Sequence, residues 1–409
     1  MTTLPTLSQR ADLTFKHNMF RSRHGWFRLT PAYSVKLVNE ILDSRPDALS
    51  VLDPFSGTAT TTLAAVSNGH SAFSCDINPF LVWLGNTKLN HYSPKILQEI
   101  RDKGKCIEES VKHISPIQPP PISNIERWWD KNNLDYLCRI KAAIEYHEPR
   151  KSKVKDLLLV AFCRLIIELS NASFGHQSVS FKKKKNNSQK MLWEQDTTDS
   201  FIINVDFVTD TAKDNPIAKG KTILCDARTL NSKLLSSKFD LVITSPPYPN
   251  RMSYIRELRP YMYWLGYLKE AKEAGELDWD AIGGTWGIAT SRLTEWGPQV
   301  ETYYPDSLKK SLIQISQSNS KSGHILSNYV AKYFEDMWQH FNAIHKVLKP
   351  GAELHYIIGN SKFYEIMVHA ENIYSEMMSK VGFQNIQIKT IRKRNSKKEL
   401  FEFDVIGHY

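Results

Sequence analysis

Residues 239–250, FDLVITSPPYPN, run an apolar stretch straight into two adjacent prolines. The apolar run predicts a buried strand. Two prolines fix the backbone that follows and remove two N–H donors, so the strand has to stop there. What remains at its carboxyl end is a serine, carbonyl oxygens without local partners, and the ring of Tyr248. In open α/β sheets, ligands bind at the carboxyl ends of strands. A ligand that suits a hydroxyl, bare carbonyls and an aromatic face together is therefore expected here.

The remaining chain supplies such a sheet. LSVLDPF (49–55) and HSAFSCDIN (70–78) flank GTATTTLAAVSNG, an amphipathic stretch that predicts a helix stopped at Gly69. KTILCDA (221–227) pairs in the same way with FDLVITS (239–245), and residues 345–361 predict a helix end, a Pro-Gly turn and another buried strand. FQNIQIKTI and LFEFDVIGHY bracket the polar turn RKRNSKKE, which predicts a closing antiparallel hairpin. Strands alternating with helices imply an α/β fold, Rossmann-like, with a doubly wound and mostly parallel sheet. Two stretches interrupt the alternation: one mostly helical, one mixed and rich in glycine and tryptophan. The expected division is core at 1–90, helical insertion at 91–220, core at 221–265, mixed insertion at 266–330 and the last core strands at 331–409.

Composition narrows the classes. A chain of 409 residues with 41% hydrophobic and 23% charged residues is an ordinary globular one, and its net charge of +10 suits a polyanionic partner. The five cysteines (75, 106, 138, 163 and 225) contain no CxxC pair, so neither a metal site nor a disulfide framework is expected. With no signal peptide and no apolar run long enough to span a bilayer, the expectation is a cytoplasmic protein with reduced thiols and no membrane contact.

DPFSGTATTTL follows the first strand and opens its helix. Such a turn points backbone N–H groups at a ligand, and Gly57 permits close approach. The second strand ends in Asp76, where an acidic residue commonly holds ribose hydroxyls. Asp226 ends the third strand and is placed to meet an adenine amino group. Glycine turn, Asp76 and Asp226 together describe a nucleoside pocket.

These motifs resemble those of the S-adenosylmethionine-dependent amino-methyltransferases of DNA, which carry a DPFxGxGTT-like first motif and an (Asp/Asn/Ser)-Pro-Pro-(Tyr/Phe/Trp) catalytic motif. The counterparts are Asp53-Pro54-Phe55-Ser56-Gly57-Thr58-Ala59-Thr60 and Ser245-Pro246-Pro247-Tyr248. The likeness covers about half of the chain, and Ala59 departs from it where the family often has glycine. It implies S-adenosylmethionine as cofactor, held by Asp53, Phe55, Ser56, Gly57, Thr58, Asp76 and Asp226. A looser match at residues 24–42 adds Thr30 and Pro31.

The resemblance also implies the chemistry. An exocyclic amine of a base is a poor nucleophile because its lone pair is delocalised into the ring. The Ser245 hydroxyl and Pro246 carbonyl are placed to draw its N–H bonds out of plane, with Pro247 stiffening the turn. Tyr248 is expected to stack on a base flipped out of the duplex. Serine in the first position is the cytosine-N4 form of the motif, whereas aspartate or asparagine is usual for adenine N6. Cytosine N4 in double-stranded DNA is thus the expected target, with adenine N6 as the alternative and a restriction enzyme as a separate companion. Attack through carbon 6 of cytosine would need a Pro-Cys nucleophile, and no Pro-Cys occurs. A guanine-N2 RNA methyltransferase and a silent nucleic-acid-binding relative are weaker alternatives.

For DNA contact the sequence offers Lys182, Lys183, Lys184 and Lys185, set against a plain solvated loop. NRMSYIRELRPYMYWLGYL, after the catalytic motif, adds Arg251, Arg256 and Arg259 interleaved with Tyr254 and Tyr261. The insertions at 91–220 and 266–330 are the candidate DNA-binding and target-recognition segments. Trp128, Trp129 and Trp264 are expected in the core.

Overall fold

The computed structural model describes residues 10–19, 21–30, 32–45, 47–173, 180–181, 200–230, 238–285, 288–299, 301–318, 322–394 and 399–409. Seven strands form its main sheet: β1 (Ser50–Asp53), β2 (Ser71–Asp76), β3 (Gly220–Leu224), β4 (Phe239–Thr244), β5 (Leu348–Gly359), β6 (Gln384–Lys393) and β7 (Phe401–His408). Their order across the sheet is β6-β7-β5-β4-β1-β2-β3. The five strands from β1 to β5 are parallel, and β7 runs antiparallel between β5 and β6. This is the doubly wound sheet with closing hairpin that the sequence implies.

The chain winds outward from β1 through β2 to β3, then returns to place β4 on the other side of β1. The strand order therefore reverses between β1 and β4, and a crevice opens there at the carboxyl ends. Both segments singled out in the sequence, DPFSG and SPPY, leave the sheet at this point.

Strand residues alternate between two layers. Val51, Leu241, Ile243 and Ile357 pack on one face with α1 (Val35–Leu42) and α2 (Thr60–Ser67). A second element set follows: α3 (Pro79–Leu89), then α4 (Pro94–Ser110), α5 (Lys131–His147), α6 (Lys153–Glu168) and α7 (Ser200–Ala212) from the helical stretch, and α8 (Tyr254–Trp264) after the catalytic motif. These six helices share one buried apolar cluster with Trp26, Phe27 and Leu29. Leu52, Val242, Leu354, Tyr356 and Ile358 face the opposite layer, against α9 (Gly323–Ile344) and α10 (Ala370–Val381).

Trp128 and Trp129 are buried in the helical cluster, the latter donating its indole N–H to the Ile166 carbonyl at 2.8 Å. The mixed stretch carries helices at Ala271–Asp280, Ile288–Glu295 and Asp306–Ser316, with irregular segments between them among the described residues. Gly283 and Gly284 lie in the segment after the first of these helices. The Pro-Gly turn expected before β5 lies inside that strand as an irregularity. Phe239 pairs with Leu348 and Leu241 already with Glu353, and Gly351 takes a φ of +82°.

Candidate active site

The first wall is built by the turn between β1 and α2. Its backbone rises over the end of β2, with the Ser56 N–H donating to the Cys75 carbonyl at 2.8 Å. Gly57 has φ +49° and Ala59 φ +60°, the left-handed region that lets the turn enter the helix so abruptly. The Gly57 N–H donates to Asp76 Oδ2 and the Asn78 N–H to Oδ1, each at 2.9 Å. Asp76 thus ties the glycine turn to the start of α3. Burial pushes its carboxyl up to about 7, against the pull of those two N–H donors and reinforced by nearby Asp53.

A group not anticipated from sequence braces the same turn from below. Lys88 on α3 is fully buried and donates from Nζ to the Thr58 carbonyl at 2.9 Å. Burial lowers its ammonium to about 7. Its signal in the sequence was slight: a single lysine in the polar last turn of a mostly apolar helix.

The second wall leaves β4. The Thr244 hydroxyl donates to Asp53 Oδ1 at 2.6 Å, joining β4 to β1 at the reversal point. Asp53 is wholly buried, its Oδ2 has no partner among the described residues, and burial raises its carboxyl to about 6. The Ser245 hydroxyl donates to the Ile357 carbonyl of β5 at 3.1 Å. That leaves the Ser245 oxygen able to act only as an acceptor toward another partner, and the Tyr248 hydroxyl lies beside it. The Tyr333 hydroxyl donates to the Pro247 carbonyl at 2.7 Å, whereas the Pro246 carbonyl accepts no hydrogen bond from the described residues.

Phe55, Ser56, Gly57, Thr58, Asp76, Asp226, Ser245 and Pro247 line one cavity. The structure thus brings the two sequence motifs onto opposite sides of a single space. Tyr254, Ile255 and Leu258 of α8 and the segment Asp280–Ile282 complete it. Tyr254, expected at the DNA-facing side, thus lines the cavity, and the segment 280–282 carries no motif that marks it in the sequence.

Other residues sit differently from expectation. Asp53 is absent from the cavity lining and serves as a strand-to-strand tie, because its side chain reaches across to Thr244 of β4. Asp226 reaches the cavity but is gripped by its own neighbour: Arg228 Nη2 meets Oδ2 at 2.7 Å and Nη1 meets Asp336 Oδ1 at 3.0 Å. Thr30 donates from both N–H and hydroxyl to Glu257 Oε1, at 2.9 and 2.8 Å, so it anchors α8 while its neighbours Leu29 and Ala32 line the cavity. Pro31 and Lys182 to Lys185 lie outside the described residues. Arg251 is exposed, with its N–H donating to the Tyr329 hydroxyl at 3.0 Å. Arg256 is half-buried with Nε unpartnered. Arg259 and Tyr261 turn inward instead: Arg259 lies over the Trp128 ring at 5.4 Å, and buried Tyr261 stacks on Phe80 at 5.6 Å.

Tyr248 is partly buried against the apolar layer of α9 and α10 and lies outside the cavity lining. Its hydroxyl donates to Glu402 Oε1 at 2.8 Å, and the Arg394 guanidinium lies over its ring at 5.2 Å.

Comparison with known proteins agrees with this geometry. Residues 35–221 match the family model described as D12 class N6 adenine-specific DNA methyltransferase. Across nearly the whole chain, curated relatives align as well. Type II methyltransferase M.BsoBI of Geobacillus stearothermophilus is 22% identical over 96% of this chain and 85% of its own. M.MvaI of Kocuria varians is 20% identical over 92% and 83%, and M.AvaI of Nostoc sp. 22% over 96% and 86%.

The chain is a methyltransferase akin to those that modify DNA. Its methyl donor is S-adenosylmethionine. The lining is compatible with that group: Leu29, Phe55, Leu81 and Ile282 are apolar walls that would suit a planar base, and the Asp76 and Asp226 carboxylates stand at the same cavity, Asp226 already held by Arg228. The N-terminus of α2 lies at the same wall. Among the described residues no group of three or more His, Cys, Asp or Glu is placed to hold a metal, and no helix is long and apolar enough to cross a membrane.

Proposed function

We propose that the protein methylates the exocyclic N4 of a cytosine flipped out of double-stranded DNA, as the modifying partner of a restriction enzyme. The observation that carries this reading is the state of the acceptors at the end of β4. The Ser245 hydroxyl donates its hydrogen bond to the Ile357 carbonyl, and the Pro246 carbonyl is unclaimed by the described residues. Two neutral acceptors side by side suit an NH2 group, which has two protons to give. Drawing those protons out of the ring plane localises the nitrogen lone pair.

Bound S-adenosylmethionine supplies an electrophilic methyl on a sulfonium. Ser245 and the Pro246 carbonyl would hold the two amine hydrogens so that the nitrogen lone pair faces that methyl, and the surplus proton of the methylated amine would pass to water. Holding amine and methyl in line across the cavity is the main service of the protein in such a displacement. The DNA strand is expected along the exposed side near Arg251, with Lys182 to Lys185 as further phosphate contacts.

A second reading, N6 of adenine, is favoured by the description of the matching family. That match ends at residue 221, ahead of Ser245, so it covers the cofactor half and not the base-facing motif. Serine there is what favours cytosine. The test is methyl transfer from tritiated S-adenosylmethionine to unmethylated plasmid DNA, with Ser245→Ala compared to wild type. Label should enter DNA, and Ser245→Ala should slow the transfer about tenfold or more, the scale of losing one good hydrogen bond at a reacting group. No label in DNA would remove the proposal.

A further inference from the structure

Tyr248 is held on two sides by groups of the closing hairpin. Its hydroxyl donates to Glu402 Oε1 on β7 at 2.8 Å. Glu402 is buried and is itself held by Arg392, through Nε to Oε2 at 2.7 Å and Nη2 to Oε1 at 3.0 Å. One face of the ring lies under the Arg394 guanidinium at 5.2 Å. Arg394 is not loose: its Nε donates to the Phe401 carbonyl at 3.1 Å, its Nη2 to the Asn360 carbonyl, and its own N–H to the Leu400 carbonyl at 2.7 Å. A Cβ at position 359 would stand 2.5 Å from Arg394 Cζ, so the glycine there makes room for this placement.

We propose that Arg394 and Glu402 are positioning residues that fix the plane of the Tyr248 ring for the target base; this rests on the base-methylating function above. Glu402 sets the direction of the ring through its hydroxyl. Arg394 covers one face by a cation–π contact and leaves the other to the flipped base. A separation of 5.2 Å leaves no space for a base between guanidinium and ring. The backbone anchors on Arg394 hold it there, so the base takes the opposite face. A freely turning tyrosine would lose alignment with the amine, and the loss would fall on turnover rather than on cofactor binding.

The test compares Tyr248→Phe, Arg394→Met and the double variant with wild type. Initial rates of tritiated methyl transfer to unmethylated plasmid DNA give kcat and KM for DNA. Calorimetry gives the Kd for S-adenosylmethionine, and a thermal melt reports folding. Each single variant should lower kcat about tenfold, the effect of ~1.4 kcal/mol on a barrier. Cofactor Kd should stay within about twofold. The double variant should lose much less than the product of the two, because both act through one ring. Unchanged kcat overturns the proposal, and so does a faster Arg394→Met enzyme, which would make Arg394 a plug. A fall in kcat that merely tracks weaker cofactor binding and a lower melt overturns it as well. Wild-type protein that labels ribosomal or transfer RNA but not plasmid overturns the DNA reading alone, since the variants are then read on that RNA.

Discussion

Ala59 adopts φ +60° while wholly buried, a conformation that costs a residue with a Cβ about 1–2 kcal/mol. Glycine removes that strain but loses a buried methyl and gains unfolded-state freedom, so Ala59→Gly should stay within about 1 kcal/mol of wild type. Ala59→Val adds branching at a left-handed position and should lose about 2 kcal/mol or more in denaturant unfolding. Equal stability of the two variants would contradict the turn geometry. Asp76 supports a pH prediction. Burial raises its folded pKa to about 7, above the ordinary carboxylate value near 4. The folded state thus holds this proton more tightly than the unfolded one. The stability it lends is full below about pH 4 and is lost as pH rises through about 7. Asp76→Asn should therefore flatten the fall in melting temperature between pH 5 and 7; an unaltered slope would remove Asp76 from the account. Because ligand hydroxyls donate to the ionised form, S-adenosylmethionine should bind more tightly at pH 8 than at pH 6. Asp76→Ala should weaken that binding by about 1–3 kcal/mol in calorimetry.

At the scale of elements, the segment between β4 and α8 carries the chemistry, and its anchors divide the tests. Tyr248→Ala removes the stacking face, worth ~1–3 kcal/mol per base, and should abolish most turnover while leaving cofactor affinity intact. Full activity in that protein would overturn the site. How much of this was legible depended on how local each signal is. The seven strands, the Gly57 turn and Ser245 could be read because apolar runs, turn residues and proline each act on neighbouring residues. Lys88 under Thr58, Arg228 on Asp226 and Glu402 on Tyr248 join parts of the chain that only the finished fold brings together, or exploit a side-chain direction that spacing does not give. Arg259 and Tyr261 show the converse. Alternating arginine and tyrosine suggested an outward face, but a helix turns 100° per residue, so successive partners of such a pattern point different ways. Trp128 and Phe80 lie where those two residues point.

The whole molecule is a sheet whose reversal point opens a cavity between two motifs almost two hundred residues apart in sequence. The helices α3 to α8 bury one apolar cluster with Trp26 and Phe27, so the helical stretch is packed into the body of the protein at the cofactor side. Its net charge of +10 bears on the partner. Replacing Lys182 to Lys185 with glutamine should weaken DNA binding and flatten its dependence on salt without altering sequence preference. An unchanged slope of log affinity against log salt would leave those lysines as solvated charge. The central claim concerns the atom that receives the methyl group. DNA from cells expressing the protein, or plasmid treated with it, can be digested to nucleosides and resolved by mass spectrometry. N4-methylcytosine should appear and 5-methylcytosine should not increase, since no Pro-Cys nucleophile is present. A digest whose only new nucleoside is N6-methyladenine would contradict the cytosine assignment.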